Sequence, residues 1–214
     1  MRSSAIYRKE HRLEQNWTDA EYVDQVFDEK DLSETEFLRC KFLRCRFVGV
    51  KLSEARAEGC RYEECDFTNA RLNSAEFTDC YFTNSAFTKT SLFAAKLDNC
   101  RLLGAVFIDA DLNSVTVKDC DWSWISLRHQ NLGCLDLRGL KLVEADLYGA
   151  DLTETDLRDS DLTRANLAQA VLDGADMRGA ILTEVDLRNT DIKGARMDIT
   201  QAIHFAQCYG AKIE

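Results

Sequence analysis

The sequence contains no proline, only three histidines and no run of about 18 apolar residues. Proline has no backbone N–H to donate, so its absence suits a structure built from β-ladder hydrogen bonds throughout. The lack of a long apolar run excludes a membrane-spanning helix, and the first ten residues lack the apolar centre of a signal peptide. These absences predict a cytoplasmic protein with no membrane contact.

Basic residues are also in deficit, because 27 lysines and arginines stand against 37 acidic residues and the formal net charge is −10. Binding to nucleic-acid phosphates requires a basic face, so direct nucleic-acid binding is disfavoured. The negative charge permits association with basic surfaces, such as the DNA-binding groove of another protein.

The nine cysteines do not have the spacing of a metal site. Zinc ligands come in pairs roughly two to four residues apart. Seven of the cysteines are instead separated by multiples of five: Cys40, Cys45, Cys60, Cys65, Cys80, Cys100 and Cys120. We expect reduced thiols that pack as small hydrophobic residues in a reducing compartment.

The same step of five organises most of the chain. A large apolar residue stands at every fifth position from Tyr22 to Met197, in 36 consecutive repeats, with Ala57 as the one small exception. A small residue stands two positions earlier, and the other three positions are largely polar. A helix would spread such residues around its whole surface, and a plain strand has a period of two. One short β-bridge and one tight turn fit this period and form one side of a square coil.

Segments such as Ala145-Asp146-Leu147, Ala150-Asp151-Leu152 and Ala175-Asp176-Met177 resemble the A(D/N)LXX consensus of the pentapeptide-repeat family. The resemblance covers about residues 20–199. It implies an all-β fold, a right-handed quadrilateral parallel β-helix with four repeats per coil and a short C-terminal helix. Such a rod needs a cap at each end. We predict an N-terminal cap over 1–20, the β-helix over 21–197, and a dimerising helix and tail over 198–214.

The repeat stops after Met197, and the residues that follow predict a short helix. Asp198 or Thr200 can cap its N-terminus, and Gly210 is a natural C-terminal stop. The helix is either a monomeric cap or, because its apolar residues exceed what the last coil needs, the contact of a two-fold homodimer. The residues predicted for this dimer contact are Ile199, Ala202, Ile203, Phe205 and Ala206.

The spacing of Gln201-Ala202, Gly210 and Ile213 resembles the C-terminal element of the quinolone-resistance (Qnr) group and its mycobacterial relatives. In that group the element dimerises the protein, and the rod protects DNA gyrase or topoisomerase IV from poisons by imitating DNA. The resemblance implies one of these enzymes as the partner, and quinolones or a topoisomerase-targeting toxin as the poison. The unbroken repeat leaves no inserted loop, so the chain is most similar to the loopless, mycobacterial type.

Residues 20 apart share a face of such a rod, so the surface can be divided into columns. One face has neighbouring Asp and Arg columns and is nearly neutral. The next face is the most acidic and is predicted to enter the basic saddle of a topoisomerase. Alternatively, an Asp placed before the core residue favours the turn through its own hydrogen bonds. The acidic residues predicted to bind are Asp111, Asp151, Glu154, Asp173 and Asp191.

No catalytic or metal-binding motif is present in the sequence, and the histidines His11, His129 and His204 fall far apart along the rod. We therefore expect no enzymatic activity, no cofactor and no metal. The less regular segment from Trp122 to Leu140 is interpreted as local packing variation or as a bulge that exposes Trp124 to a partner. The alternative to topoisomerase binding is a scaffold solenoid with another protein partner.

Overall fold

The computed structural model describes residues 17–213, so most of the predicted N-terminal cap over 1–20, including His11, lies outside the described residues. The described chain winds into a parallel β-helix followed by one helix, which confirms the predicted fold class. None of the described helices is long and apolar enough to cross a membrane. The elements are β1 (Glu21–Val23), β2 (Glu36–Leu38), β3 (Lys41–Leu43), β4 (Arg56–Glu58), β5 (Arg61–Glu63), β6 (Glu76–Thr78), β7 (Tyr81–Thr83), β8 (Ala86–Thr88), β9 (Lys96–Asp98), β10 (Val106–Ile108), β11 (Thr116–Lys118) and α1 (Ile199–Cys208).

The strand pairings are parallel and join residues 20 apart, as where Phe42 faces Tyr62. Isolated bridges continue the same register from the pair Thr18 and Leu38 to the pair Asp176 and Arg196. Each coil therefore has four sides of five residues. We name the faces of the rod after the core residues of one coil: the Leu142 face, the Leu147 face, the Leu152 face and the Leu157 face. In a four-sided coil the Leu142 face lies opposite the Leu152 face.

The core consists of side-chain columns that run along the rod. Phe67 is stacked between Phe47 and Phe87, with ring centroids 4.9 and 5.1 Å away and nearly parallel planes. Farther along, leucines such as Leu147 occupy the same column and are fully buried. Seven free cysteines fill small inward positions, where a thiol such as that of Cys65 can donate to a carbonyl of the previous coil. Burial of these apolar columns stabilises the rod.

The corners explain the polar part of the consensus. Most sides end on a residue with positive φ, a left-handed conformation that is uncommon outside glycine. Asp or Asn before the core residue bridges this turn, because its side chain accepts the backbone N–H two residues later, as in Asp161 to Thr163 and Asn166 to Ala168. The recurrent aspartate therefore has a structural role in many repeats.

The ladder passes through the segment from Trp122 to Leu140 in unbroken register, with Asp121 bridged to Lys141 and Ser126 to Asp146. The irregular sequence is thus accommodated by packing and not by a bulge. Trp122 is fully buried, and its indole N–H has no hydrogen-bond partner. Trp124 stands at a left-handed corner with 56% of its surface exposed.

The helix α1 closes the last coil with side-chain hydrogen bonds. Asp198 is its N-cap, and Asp198 and Gln201 form a reciprocal capping box. The Gln201 Nε2 donates to the Ala180 carbonyl at 2.9 Å, and the Tyr209 hydroxyl donates to the Arg188 carbonyl at 3.1 Å. In the rod, the carbonyl before each side accepts a backbone N–H from 21 residues later, so the Gln201 amide replaces that donor where the coil ends.

Candidate functional site

The five predicted acidic residues lie together on the Leu152 face. Bridges place Asp151 and Asp191 in one row, each adjacent to Val171. Asp151, Glu154 and Asp191 are exposed, whereas Asp111 and Asp173 are half-buried. From Asp111 to the end of the β-helix this face carries five carboxylates and a single cation, Lys193.

Three of these carboxylates also stabilise turns. Asp111, Asp151 and Asp191 each accept the backbone N–H two residues later, at 3.0–3.1 Å. The structural role that the sequence left open as an alternative therefore applies to them. Glu154 and Asp173 make no such turn hydrogen bond among the described contacts, so their presence on this face is not required by the turn.

Ion pairing separates the Leu152 face from the neighbouring Leu157 face. On the Leu157 face, Arg158 holds Asp156 at 2.6 Å and Arg178 holds Asp176 at 2.6 Å. The hydrogen bond from Arg178 lowers the pKa of Asp176 to about 2. On the Leu152 face, Asp173 is paired loosely with Lys193, at 3.7 Å. Among the described residues, the other four predicted carboxylates have no ion pair, so their charge remains available to a basic partner.

The structure divides the predicted dimer residues between two sides of α1. Ile199 and Ala202 are exposed, and 79% of the Ile199 surface is accessible. Ile203 and Ala206 are half-buried. Phe205 packs against the core of the last coil instead. The described part of the chain thus leaves an apolar strip on α1 that the rod does not cover.

Sequence reasoning missed the residues that attach α1 to the rod. Gln201 is buried, and the His204 ring lies 2.7 Å from the Val185 carbonyl. The signal that could have identified Gln201 is its position 21 residues after Ala180, which is where the next coil would supply a backbone donor. Among residues 17–213, no group of three or more His, Cys, Asp or Glu residues could hold a metal ion.

Comparison with known proteins agrees with this architecture. Residues 123–159 and 160–198 match the family model of pentapeptide repeats, in eight copies. Residues 38–107 match the model of the SV2A/B/C luminal domain. No curated protein sequence matches the chain significantly.

Two solved structures of QnrB1, described as a plasmid-mediated fluoroquinolone resistance protein, share the fold. A trypsin-treated variant is 22% identical and superposes with a TM-score of 0.80, over 91% of this chain and 98% of that one. The full-length form is 20% identical and has a TM-score of 0.68, over 89% of this chain and 100% of that one. Together with the repeat match, the shared fold identifies the chain as a pentapeptide-repeat protein of the right-handed quadrilateral β-helix type.

Proposed function

We propose that this protein binds a type II topoisomerase, DNA gyrase or topoisomerase IV, through the Leu152 face, and protects it from poisons such as quinolones or a topoisomerase-targeting toxin. It acts by binding and not by catalysis, in the cytoplasm. The fold shared with QnrB1, a fluoroquinolone resistance protein, supports this proposal. The observation that carries it is the group of carboxylates on the later Leu152 face that lack ion pairs.

The spacing of these carboxylates suits a basic groove. Asp151 and Asp191 lie two coils apart, which is about 10 Å at the ladder spacing, and Glu154 projects from the corner beside Asp151. A rigid row of negative charge attracts a cationic surface that normally holds DNA and accelerates the encounter. The other three faces of this half of the rod carry charges that are closer to balance.

Neutralising this face should weaken topoisomerase binding without unfolding the rod. The triple variant Asp151→Asn, Glu154→Gln and Asp191→Asn removes three charges. Asparagine keeps the turn, since Asn131 and Asn166 already make the same hydrogen bond. We expect binding to gyrase weaker by about tenfold or more, chiefly through slower association. Surface plasmon resonance on immobilised gyrase, and quinolone-stabilised DNA cleavage with and without the protein, measure this.

The matched control removes three charges from the opposite Leu142 face, with Asp121→Asn, Asp161→Asn and Glu184→Gln. Asp161 accepts the N–H of Thr163 as Asp151 accepts that of Thr153, and Glu184 has the same left-handed backbone as Glu154. Equal loss of binding in both triple variants would show that only net charge matters. Unchanged gyrase binding by the folded Leu152-face variant would favour the scaffold function instead.

We also propose that α1 joins two copies end to end through its uncovered apolar strip. The strip contains Ile199 and Ala202, with Ile203 and Ala206 at its edge, and a two-fold partner would bury it. Phe205 contributes by holding α1 against the core of its own rod.

Replacing Ile199 by Asp should convert a dimer into a monomer. The position is exposed and lies in the first turn of α1, where a negative charge is favourable for the helix, so the fold is retained. Light scattering after size-exclusion chromatography should give twice the chain mass of 24.3 kDa for the native chain and 24.3 kDa for Ile199→Asp. Ile108→Asp, at a similarly apolar exposed site in mid-rod, should stay dimeric. A native chain that is monomeric at micromolar concentration contradicts the dimer.

A further inference from the structure

Most arginines of the rod are neutralised by a carboxylate, but two that flank one tyrosine are not. Of the 14 arginines in the described residues, ten form ion pairs. Arg61 and Arg101 are among the four that do not. Both belong to one row of the Leu142 face, on either side of Tyr81.

These three side chains form a stack, which we call the Arg–Tyr–Arg stack. The guanidinium carbon of Arg61 lies 4.9 Å from the centre of the Tyr81 ring, and that of Arg101 lies 5.3 Å from it on the next coil. A guanidinium that rests on an aromatic ring keeps its N–H edges free for acceptors. Within residues 17–213 the Tyr81 hydroxyl makes no hydrogen bond, so it too remains available.

The row continues with a further cation. Lys41 pairs with Arg61 in the ladder and also has no ion pair among the described residues. At the other end the row is closed by Asp121, which follows Arg101. Lys41 and Arg101 are three coils apart, so the three cations span about 15 Å. The nearby Glu63 lies on the same strand as Arg61 but is not paired with it.

We propose that Lys41 and the Arg–Tyr–Arg stack bind an acidic peptide segment of a protein partner. Guanidinium groups bind carboxylates through paired hydrogen bonds, and two preoriented guanidiniums with a lysine suit several Asp or Glu side chains of an extended segment. A polynucleotide fits less well, because the rod as a whole has a net charge of −10 and repels it. This surface is opposite the Leu152 face, so both can be occupied at once.

The probe is a fluorescein-labelled octaglutamate peptide, and its binding to the full chain is followed by fluorescence anisotropy at low ionic strength. The double variant Arg61→Gln/Arg101→Gln is expected to bind at least about fivefold more weakly than the native chain. The control, Arg138→Gln/Arg178→Gln, removes the same charge from arginines that are already paired with Asp136 and Asp176, and should bind as the native chain does. The single variant Lys41→Gln should show a smaller loss, and circular dichroism verifies that each variant is folded.

Two results overturn the proposal. One is an equal loss in the stack variant and in the control variant, which would mean that the peptide senses net charge alone. The other is tighter binding of a labelled octathymidylate than of the octaglutamate, which would make the surface a nucleic-acid site. Neither result bears on topoisomerase binding, because the peptide assay contains no topoisomerase and leaves the Leu152 face unchanged.

Discussion

Replacing Phe67 by alanine is expected to lower the free energy of unfolding by about 3–5 kcal/mol. Phe67 is 1% exposed and stacks on Phe47 and Phe87, with the edges of Tyr62 and Phe82 against it. Alanine removes the ring from the middle of a column that cannot collapse, because each backbone coil is held by ladder bonds on both sides. Since a solenoid coil contacts only its neighbours, the loss falls on both adjoining interfaces.

The free energy can be measured by guanidinium chloride unfolding followed by circular dichroism. Phe67→Leu is the matched variant and should cost only about 1 kcal/mol, because leucines such as Leu127 and Leu147 fill the same column farther along. A cost below about 1 kcal/mol for the alanine variant would mean that the column repacks around the gap, contrary to a rigid stack.

Replacing Gln201 by leucine is expected to release α1 from the rod. The Gln201 side chain donates to the Ala180 carbonyl and accepts the N–H of Asp198, each at 2.9 Å, and it is 2% exposed. Leucine has a similar size but leaves both backbone groups without a partner, at about 1–3 kcal/mol for each. We expect the free energy that holds α1 to fall by at least about 2 kcal/mol, which corresponds to about thirtyfold faster hydrogen exchange of the α1 amides.

The control is Gln207→Leu, in the same helix but on its exposed side. It should leave hydrogen exchange in α1 nearly unchanged, and exchange in the central coils should be unaffected in both variants. If Gln201→Leu leaves the α1 amides as protected as in the native chain, then packing of Phe205 and Cys208 against the last coil holds the helix without this hydrogen bond.

The core could be predicted from the sequence because each side of the coil imposes the same requirement. A large residue such as Phe67 and a small one such as Cys65 must point inward at fixed positions, so the period of five is visible without any structure. The helix was also predictable, since Asp198 and Gly210 are strong local signals at its two ends.

The surface was only partly predictable. A step of 20 correctly placed Asp151 and Asp191 on one face, but it could not show that Asp176 is neutralised by Arg178 whereas Asp151 has no ion pair. That difference depends on side-chain rotamers at neighbouring positions and on whether a cation lies within reach. The Arg–Tyr–Arg stack was missed for the same reason, because its three members are each ordinary outward residues until their row is drawn.

The attachment of α1 shows a different limit. Gln201 is a polar residue that the helical pattern places beside apolar neighbours, and sequence alone gives no reason to bury it. Its role depends on a carbonyl left over 21 residues earlier, at Ala180, where the coil ends. Such a dependence is set by the end of a tertiary ladder, and no local propensity contains it.

The pairing of every residue with the one 20 positions away also limits how this rod can change in length. Loss of a whole coil would shorten it by about 4.8 Å and leave each face continuous. Loss of a single repeat would keep the core pattern intact yet rotate everything beyond it by a quarter turn, so that the carboxylates of the later Leu152 face would continue the earlier Leu147 face. Insertions and deletions of 20 residues therefore preserve a binding surface, whereas those of five residues rearrange it without disturbing the interior.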